Sequence, residues 1–350
     1  MTRIAAIAPV LPQYSYTQSE ITAELAPLLT HDAGRRAVIE RLHGSSRIGR
    51  RHTALPLERY RDLSGFREAN GEFIRVGVEL LEAALTRALG DAGLVASDID
   101  FVMFTSVTGV AAPSIDGLLV QRMGLRKDVK RVPSFGLGCV AGASGLARVS
   151  DYLDGHPDEV GVLLSVELCS LTLQRDDETM GNFVATGLFG DGATAVVMTG
   201  DTRSAGPRVR ATQSAFYPDS LDVIGWNVGG SGFEIVLTAG VADVIENNFP
   251  ADAAAFLATQ GLSLDDIDHW VAHPGGPRVL EAFETSLGVT REQLRRSWDS
   301  LEAIGNLSSS SVLHVLADTI DLDRPAPGET GLLFALGPGV SAEFVLLEWE

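Results

Sequence analysis

The sequence predicts an α/β chain built from a duplicated unit, and three observations predict it. Short β-branched runs alternate with Ala/Leu-rich amphipathic stretches, and 37 glycines are scattered among them with no linker or low-complexity tract. Residues 89–100 (LGDAGLVASDID) resemble residues 257–268 (LATQGLSLDDID), 168 positions later (268 against 100). Further on, 137–144 (LGCVAGAS) falls opposite 304–311 (IGNLSSSS) at 167 positions (306 against 139), which puts Cys139 and Asn306 in equivalent places. A third pair, 190–196 (GDGATAV) and 337–343 (GPGVSAE), keeps the order at 147 positions, the second half having shorter loops. The predicted halves are residues 1–200, carrying Cys139, and 201–350, carrying His273 and Asn306.

The elements follow in order. Residues 72–90 (EFIRVGVELLEAALTRALG) have apolar residues at helical spacing and end in Gly90, a helix with its C-cap. Residues 100–105 (DFVMFT) read as a buried strand. Residues 130–135 (KRVPSF) read as another strand, 136–138 (GLG) as a tight turn and 140–153 (VAGASGLARVSDYL) as a small-residue-rich helix. Cys139 thereby sits at a helix N-terminus. Residues 268–272 (DHWVA) form a strand that opens at His273 into Pro274-Gly275-Gly276, at the strand end where ligands gather in α/β sheets.

Composition narrows the class. With 45% hydrophobic and 21% charged residues and a mean hydropathy of +0.15, the chain buries a substantial core and is not disordered. Twenty-seven basic against 46 acidic residues give a formal charge of −19, which repels nucleic acid and anionic membranes. Residues 1–10 read as a first strand rather than a signal peptide, and no apolar run approaches the ~18 to 20 residues of a membrane span. Two cysteines, Cys139 and Cys169, make no disulfide framework; a cytoplasmic location is expected.

Three residues emerge as candidates for chemistry. A helix N-terminus favours thiolate at Cys139 through unpaired backbone N–H groups, which marks it as a nucleophile rather than a small buried hydrophobe. His273 is its candidate partner. Asn306, opposite Cys139 in the repeat, is either a plain N-cap or a second functional group facing the same pocket. His269 lies four residues before His273, but a strand does not present such a pair to zinc, so no metal is expected. His31, His43, His52, His156 and His314 read as surface or packing residues. Gly190-Asp191-Gly192 is no dinucleotide fingerprint.

Residues 138–142 (GCVAG), 188–193 (LFGDGA), 273–277 (HPGGP), 305–308 (GNLS) and 337–339 (GPG) resemble, in order and across most of the chain, the type III polyketide synthases related to chalcone synthase. The resemblance implies a homodimer with the thiolase fold, a duplicated five-layered αβαβα unit. It implies that an acyl-CoA starter loads onto Cys139 and that malonyl-CoA is decarboxylated. The resulting carbanion then condenses with the bound thioester, with His273 and Asn306 donating to the enolate oxygen. No cofactor beyond the CoA thioester substrates is implied. Chain-starting ketoacyl synthases share the Cys, His and Asn set but usually differ in the His and Asn motifs. A non-catalytic thiolase-fold partner would commonly lack the nucleophile.

The same resemblance implies that Phe189 and Phe233 gate the passage to the cavity, and that Arg41, Gly275, Gly276 and Arg278 contact CoA. Ser45 stands where the family has a lysine, and Arg278 replaces that charge. Thr108, Ala112 and Cys169 are similar to the small residues that open an acyl tunnel in alkylpyrone-forming members, with Ala112 supplied across the dimer. Thr172 and Ser308 line the elongation cavity. Val107 occupies the position where tetrahydroxynaphthalene synthases tend to carry a second cavity cysteine. The expectation is therefore a medium- to long-chain fatty acyl starter and an alkylpyrone or alkylresorcinol product. The alternative is a malonyl- or short-acyl-primed synthase of tetrahydroxynaphthalene or germicidin type.

Overall fold

The computed structural model describes residues 2–175, 177–200 and 206–350. Its nine-stranded sheet runs, from one edge, His269–Ala272, Thr330–Gly337, Ser341–Glu348 and Arg208–Phe216, then Thr2–Val10, Asp191–Gly200, Val160–Leu168, Phe101–Thr105 and Lys130–Ser134. Read outward from the middle, both halves repeat one pattern. Thr2–Val10 and Arg208–Phe216 each pair antiparallel with a neighbour, which pairs antiparallel with a third strand, which pairs parallel with a fourth. Within the sheet the halves join at Thr2↔Val209 and Arg3↔Arg208. Lys130–Ser134 is an extra edge strand of the first half. The division expected between residues 200 and 201 falls at the edge of 201–205, outside the described residues.

Side-chain alternation along these strands sets the layers. Val162, Leu164 and Val166 face one core with the long helix Phe66–Ala92, while Leu163 faces another. In the second half Leu332 and Phe334 face a core with helices Gly240–Thr259 and Pro277–Leu287, while Leu333 and Ala335 face the core that also takes Leu163. That shared middle core holds the helices Ala141–Gly155 and Ser311–Asp318. Period-two strands with both faces buried thus yield helix, sheet, helix pair, sheet, helix: the five layers expected.

The close meeting of the two central helices depends on glycine. A Cβ on Gly142 would lie 2.2 Å from the Ser309 carbonyl oxygen, and one on Gly145 would lie 2.4 Å from Leu163 Cδ1. This explains the run of small residues read in the sequence. The long helix passes Gly90, the expected stop, and ends at Gly93, which adopts φ 66° as its cap. Gly90 is tolerated mid-helix because packing over the sheet outweighs its low propensity. No helix among the described residues is long and apolar enough to cross a membrane.

Candidate active site

Cys139 lies in the single tight turn Gly138–Val140 that leads into Ala141–Gly155. Gly138 adopts φ 54°, and a Cβ there would meet Pro338 at 2.7 Å, so the turn packs its backbone against the Gly337-Pro338-Gly339 turn of the other half. Cys139 is 6% exposed, and its thiol makes one long hydrogen bond, donating to Ser308 Oγ at 3.7 Å. His273 follows its strand, with its backbone N–H donating to the Phe334 carbonyl at 2.9 Å; its ring is buried, and neither ring nitrogen has a partner among the described residues. Asn306 is held more firmly. Its Nδ2 donates to the Gly275 carbonyl at 3.0 Å, and its Oδ1 accepts from the Ser308 N–H at 2.8 Å and the Ser311 hydroxyl at 3.3 Å.

Electrostatics bear on the expected thiolate. Burial pushes the Cys139 thiol up to about 12, the hydrogen bond with Ser308 lowering it only in part, and burial alone pulls His273 down to about 3. Desolvation thus opposes the thiolate that the helix end favours and favours a neutral imidazole.

Three cavities converge here, all lined by Phe189. The widest, about 1630 Å³, brings together Cys139, His273 and Asn306, and its wall also carries Ser45, Gly275, Gly276 and Arg278. A second, far narrower, lies against Cys139, Val107, Cys169, Ser308 and Trp226. A third, also narrow, continues past Cys169 to Thr172 and Arg51. Phe189 is fixed beside Asn306 by reciprocal backbone bonds: Gly190 N–H to the Asn306 carbonyl at 2.9 Å and Asn306 N–H to the Leu188 carbonyl at 3.0 Å.

Three expected positions stand elsewhere. Phe233 lines none of these cavities; it packs among Phe66, Phe135 and Trp226, and Trp226 stands in two cavity walls. Thr108 turns its hydroxyl away to Glu167 Oε2 at 2.8 Å. Arg41 is exposed on Ala33–Gly44 and absent from the wide cavity's wall. Ala112, expected to serve a partner's cavity, is exposed. Sequence reasoning misses Glu167, a fully buried carboxylate that accepts from the Ser309 hydroxyl at 2.5 Å and the Val107 N–H at 3.1 Å, its pKa raised by burial. Its one signal is a lone acid inside the apolar run 160–168 (VGVLLSVEL).

A thiol, an imidazole and a primary amide around one opening, with smaller recesses behind the thiol, are the parts of an acyl-transferring, carbon–carbon-forming site. The chain as a whole agrees. The sequence model for the N-terminal domain of chalcone and stilbene synthases matches residues 3–202, and that for the C-terminal domain matches residues 208–349. The chain belongs to this family: it is a type III polyketide synthase of thiolase fold, an enzyme that condenses acyl-CoA substrates. It is 52% identical to 1,3,6,8-tetrahydroxynaphthalene synthase of Streptomyces peucetius subsp. caesius, over 99% of this chain and 93% of that one. It is 32% identical to 3,5-dihydroxyphenylacetyl-CoA synthase of Amycolatopsis orientalis, over 100% and 94%. The crystal structure of 1,3,6,8-tetrahydroxynaphthalene synthase from Streptomyces coelicolor A3(2) superposes with a TM-score of 0.94 at 30% identity, covering 99% of each chain.

Proposed function

We propose that the chain is a malonyl-primed synthase of the tetrahydroxynaphthalene type, building its product from malonyl-CoA alone. The observation that carries this reading is the 52% identity, end to end, to a tetrahydroxynaphthalene synthase. The cavity walls support it. Of the two residues behind the fatty-acyl expectation that belong to this chain's own cavity, Thr108 and Cys169, Cys169 lines two of the three cavities and Thr108 lines none of them. The space beyond Cys169 is walled mainly by apolar side chains, with Arg51, Ser170, Thr172 and Asn182 placing polar groups among them. Val107 places an isopropyl group where that type tends to carry a cysteine, so starter choice falls here to other walls.

In this reading Cys139 Sγ attacks the thioester carbonyl of malonyl-CoA, and CoA leaves as the thiol, carrying away the proton. A second malonyl-CoA in the wide cavity loses carbon dioxide, and the electron pair of the broken bond spreads onto its thioester oxygen as an enolate. Neutral His273 donates one hydrogen bond to that oxygen. Asn306 Nδ2 donates another, since only one of its two N–H groups is held by Gly275. Such preorganised donors are each worth about 3 to 4 kcal/mol in the barrier. The enolate carbon attacks the Cys139 thioester, a carbon–carbon bond forms, and the thiolate is expelled for the next round. Gly275, Gly276 and Arg278 meet CoA at the opening. A second copy covers the edge strand Lys130–Ser134, where Val132 and the following Phe135 are exposed, and takes Ala112 against its own cavity.

Product masses test the reading. Enzyme given malonyl-CoA alone is expected to form a tetrahydroxynaphthalene-type product. Little or none from malonyl-CoA alone, with abundant alkylpyrone or alkylresorcinol from long acyl-CoA starters, restores the fatty-acyl reading.

A further inference from the structure

The cavity beyond Cys169 contains a charge that these steps leave unused. Arg51, on the short strand Arg50–Thr53, lines it and is 4% exposed. Its Nε donates to Gln18 Oε1 at 2.9 Å and its Nη1 to the Phe189 carbonyl at 2.6 Å, but its Nη2 is sealed from solvent and has no hydrogen-bond partner among the described residues. Burial lowers the guanidinium to about 10, so it remains charged at neutral pH.

The neighbouring carboxylate is committed elsewhere. Asp191 acts on Arg51 through its field, yet its oxygens accept from the Ala54 N–H at 2.6 Å, the Ser170 N–H at 2.8 Å and the Ser170 hydroxyl. A buried cation with an unused donor and no direct carboxylate partner is costly to keep, and its cost falls when an anion arrives. The route for one exists. The recess shares Cys169, Phe189, Trp226 and Ile235 with the smaller space against Cys139, so a chain carried on Cys139 has a path to the wall that Arg51 occupies.

We propose that Arg51 recognises a carboxylate at the far end of the chain held on Cys139, so that the recess selects chains begun from malonyl-CoA over chains begun from a neutral acyl-CoA. The inference rests on the malonyl-primed reading. A malonyl starter that keeps its carboxylate through loading presents that group at the end remote from sulfur, and each extension pushes it deeper. Arg51 also holds the Phe189 carbonyl, so substitutions there depress every activity to some degree; the quantity that isolates recognition is a ratio between starters.

The test compares starters of equal carbon number, malonyl- with propionyl-CoA and glutaryl- with pentanoyl-CoA, each extended with malonyl-CoA and scored by rate and product mass. Wild type is expected to favour the carboxylate-bearing member of each pair by about tenfold or more, the scale of one charge-assisted hydrogen bond. Arg51→Met should level that ratio and Arg51→Lys should recover part of it. Equal use of both members by wild type overturns the proposal without any variant, and so does an Arg51→Met enzyme that keeps the wild-type ratio. Failure of wild type to make product from malonyl-CoA alone is a different result: it removes the priming reading itself.

Discussion

The turn at Cys139 and the turn at Asn306 are built on one plan and finished in opposite ways. Each is a single tight turn, Gly138–Val140 or Ser308–Ser310, feeding a buried helix, and the two helices touch where Gly142 meets the Ser309 carbonyl. Cys139 is held lightly, by a 3.7 Å hydrogen bond to Ser308 Oγ, while Asn306 is tied by three to its own surroundings. A nucleophile must be free to attack a thioester carbonyl brought to it on CoA, whereas an enolate donor works only if it is already in place when charge develops. Duplication supplied two facing helix ends, one carrying a lightly bonded thiol and the other a firmly held amide.

Breaking the free side should have the largest effect. Cys139→Ala is expected to abolish product while leaving the thermal unfolding midpoint within a few degrees, because the thiol packs little; substantial product would remove Cys139 from its role. On the rigid side, Asn306→Ala should slow carbon dioxide release by roughly a hundredfold or more and loading of Cys139 far less, the loss of one preorganised donor. Following acyl-enzyme mass and carbon dioxide separately checks the division, and loading that collapses while decarboxylation survives would exchange the two roles. The contact between the turns is the next target. Gly142→Val drives a side chain into the Ser309 carbonyl, and a loss of about 3 kcal/mol in denaturant stability is expected, with activity falling alongside.

The smallest expected effect concerns pH. Burial lowers His43 and His314 to about 4 and His273 to about 3, so each is neutral in the folded chain while its unfolded counterpart takes up a proton below about 6.5. Their contribution is fully present above pH 6.5 and is lost as pH falls from there through about 4 and then 3, costing about 1 kcal/mol per histidine near pH 5.5. Unfolding midpoints measured between pH 7 and 5 should fall accordingly, and His314→Gln should flatten the slope. An unchanged slope in that variant would place His314 outside the linkage.

Much of the fold and of the site is legible in the amino-acid sequence. The repeat places Cys139 opposite Asn306, and the strand symmetry of the two halves shows why: equal folding orders put equivalent turns face to face. His273 is legible because a short apolar strand running into Pro274-Gly275-Gly276 announces its own end. Arg51, Glu167 and Trp226 are not, since their chemistry comes from burial by distant segments; Arg51 meets Phe189 across 138 positions. The burial of Cys139 escapes the sequence for the same reason. A helix end is visible in sequence, while the dryness that opposes its effect on the thiol belongs to the assembled core. Phe233 shows the converse: a matching position whose ring joins an aromatic cluster, leaving Trp226 at the cavity wall.

What Cys139 first accepts decides between malonyl and fatty-acyl priming. Wild-type enzyme mixed briefly with malonyl-CoA and no other thioester, quenched in acid and read by peptide mass, should carry a malonyl group with its carboxylate intact on the peptide containing Cys139, and Cys139→Ala should carry none. A Cys139 peptide that stays unmodified by malonyl-CoA yet loads readily with palmitoyl-CoA would contradict the account.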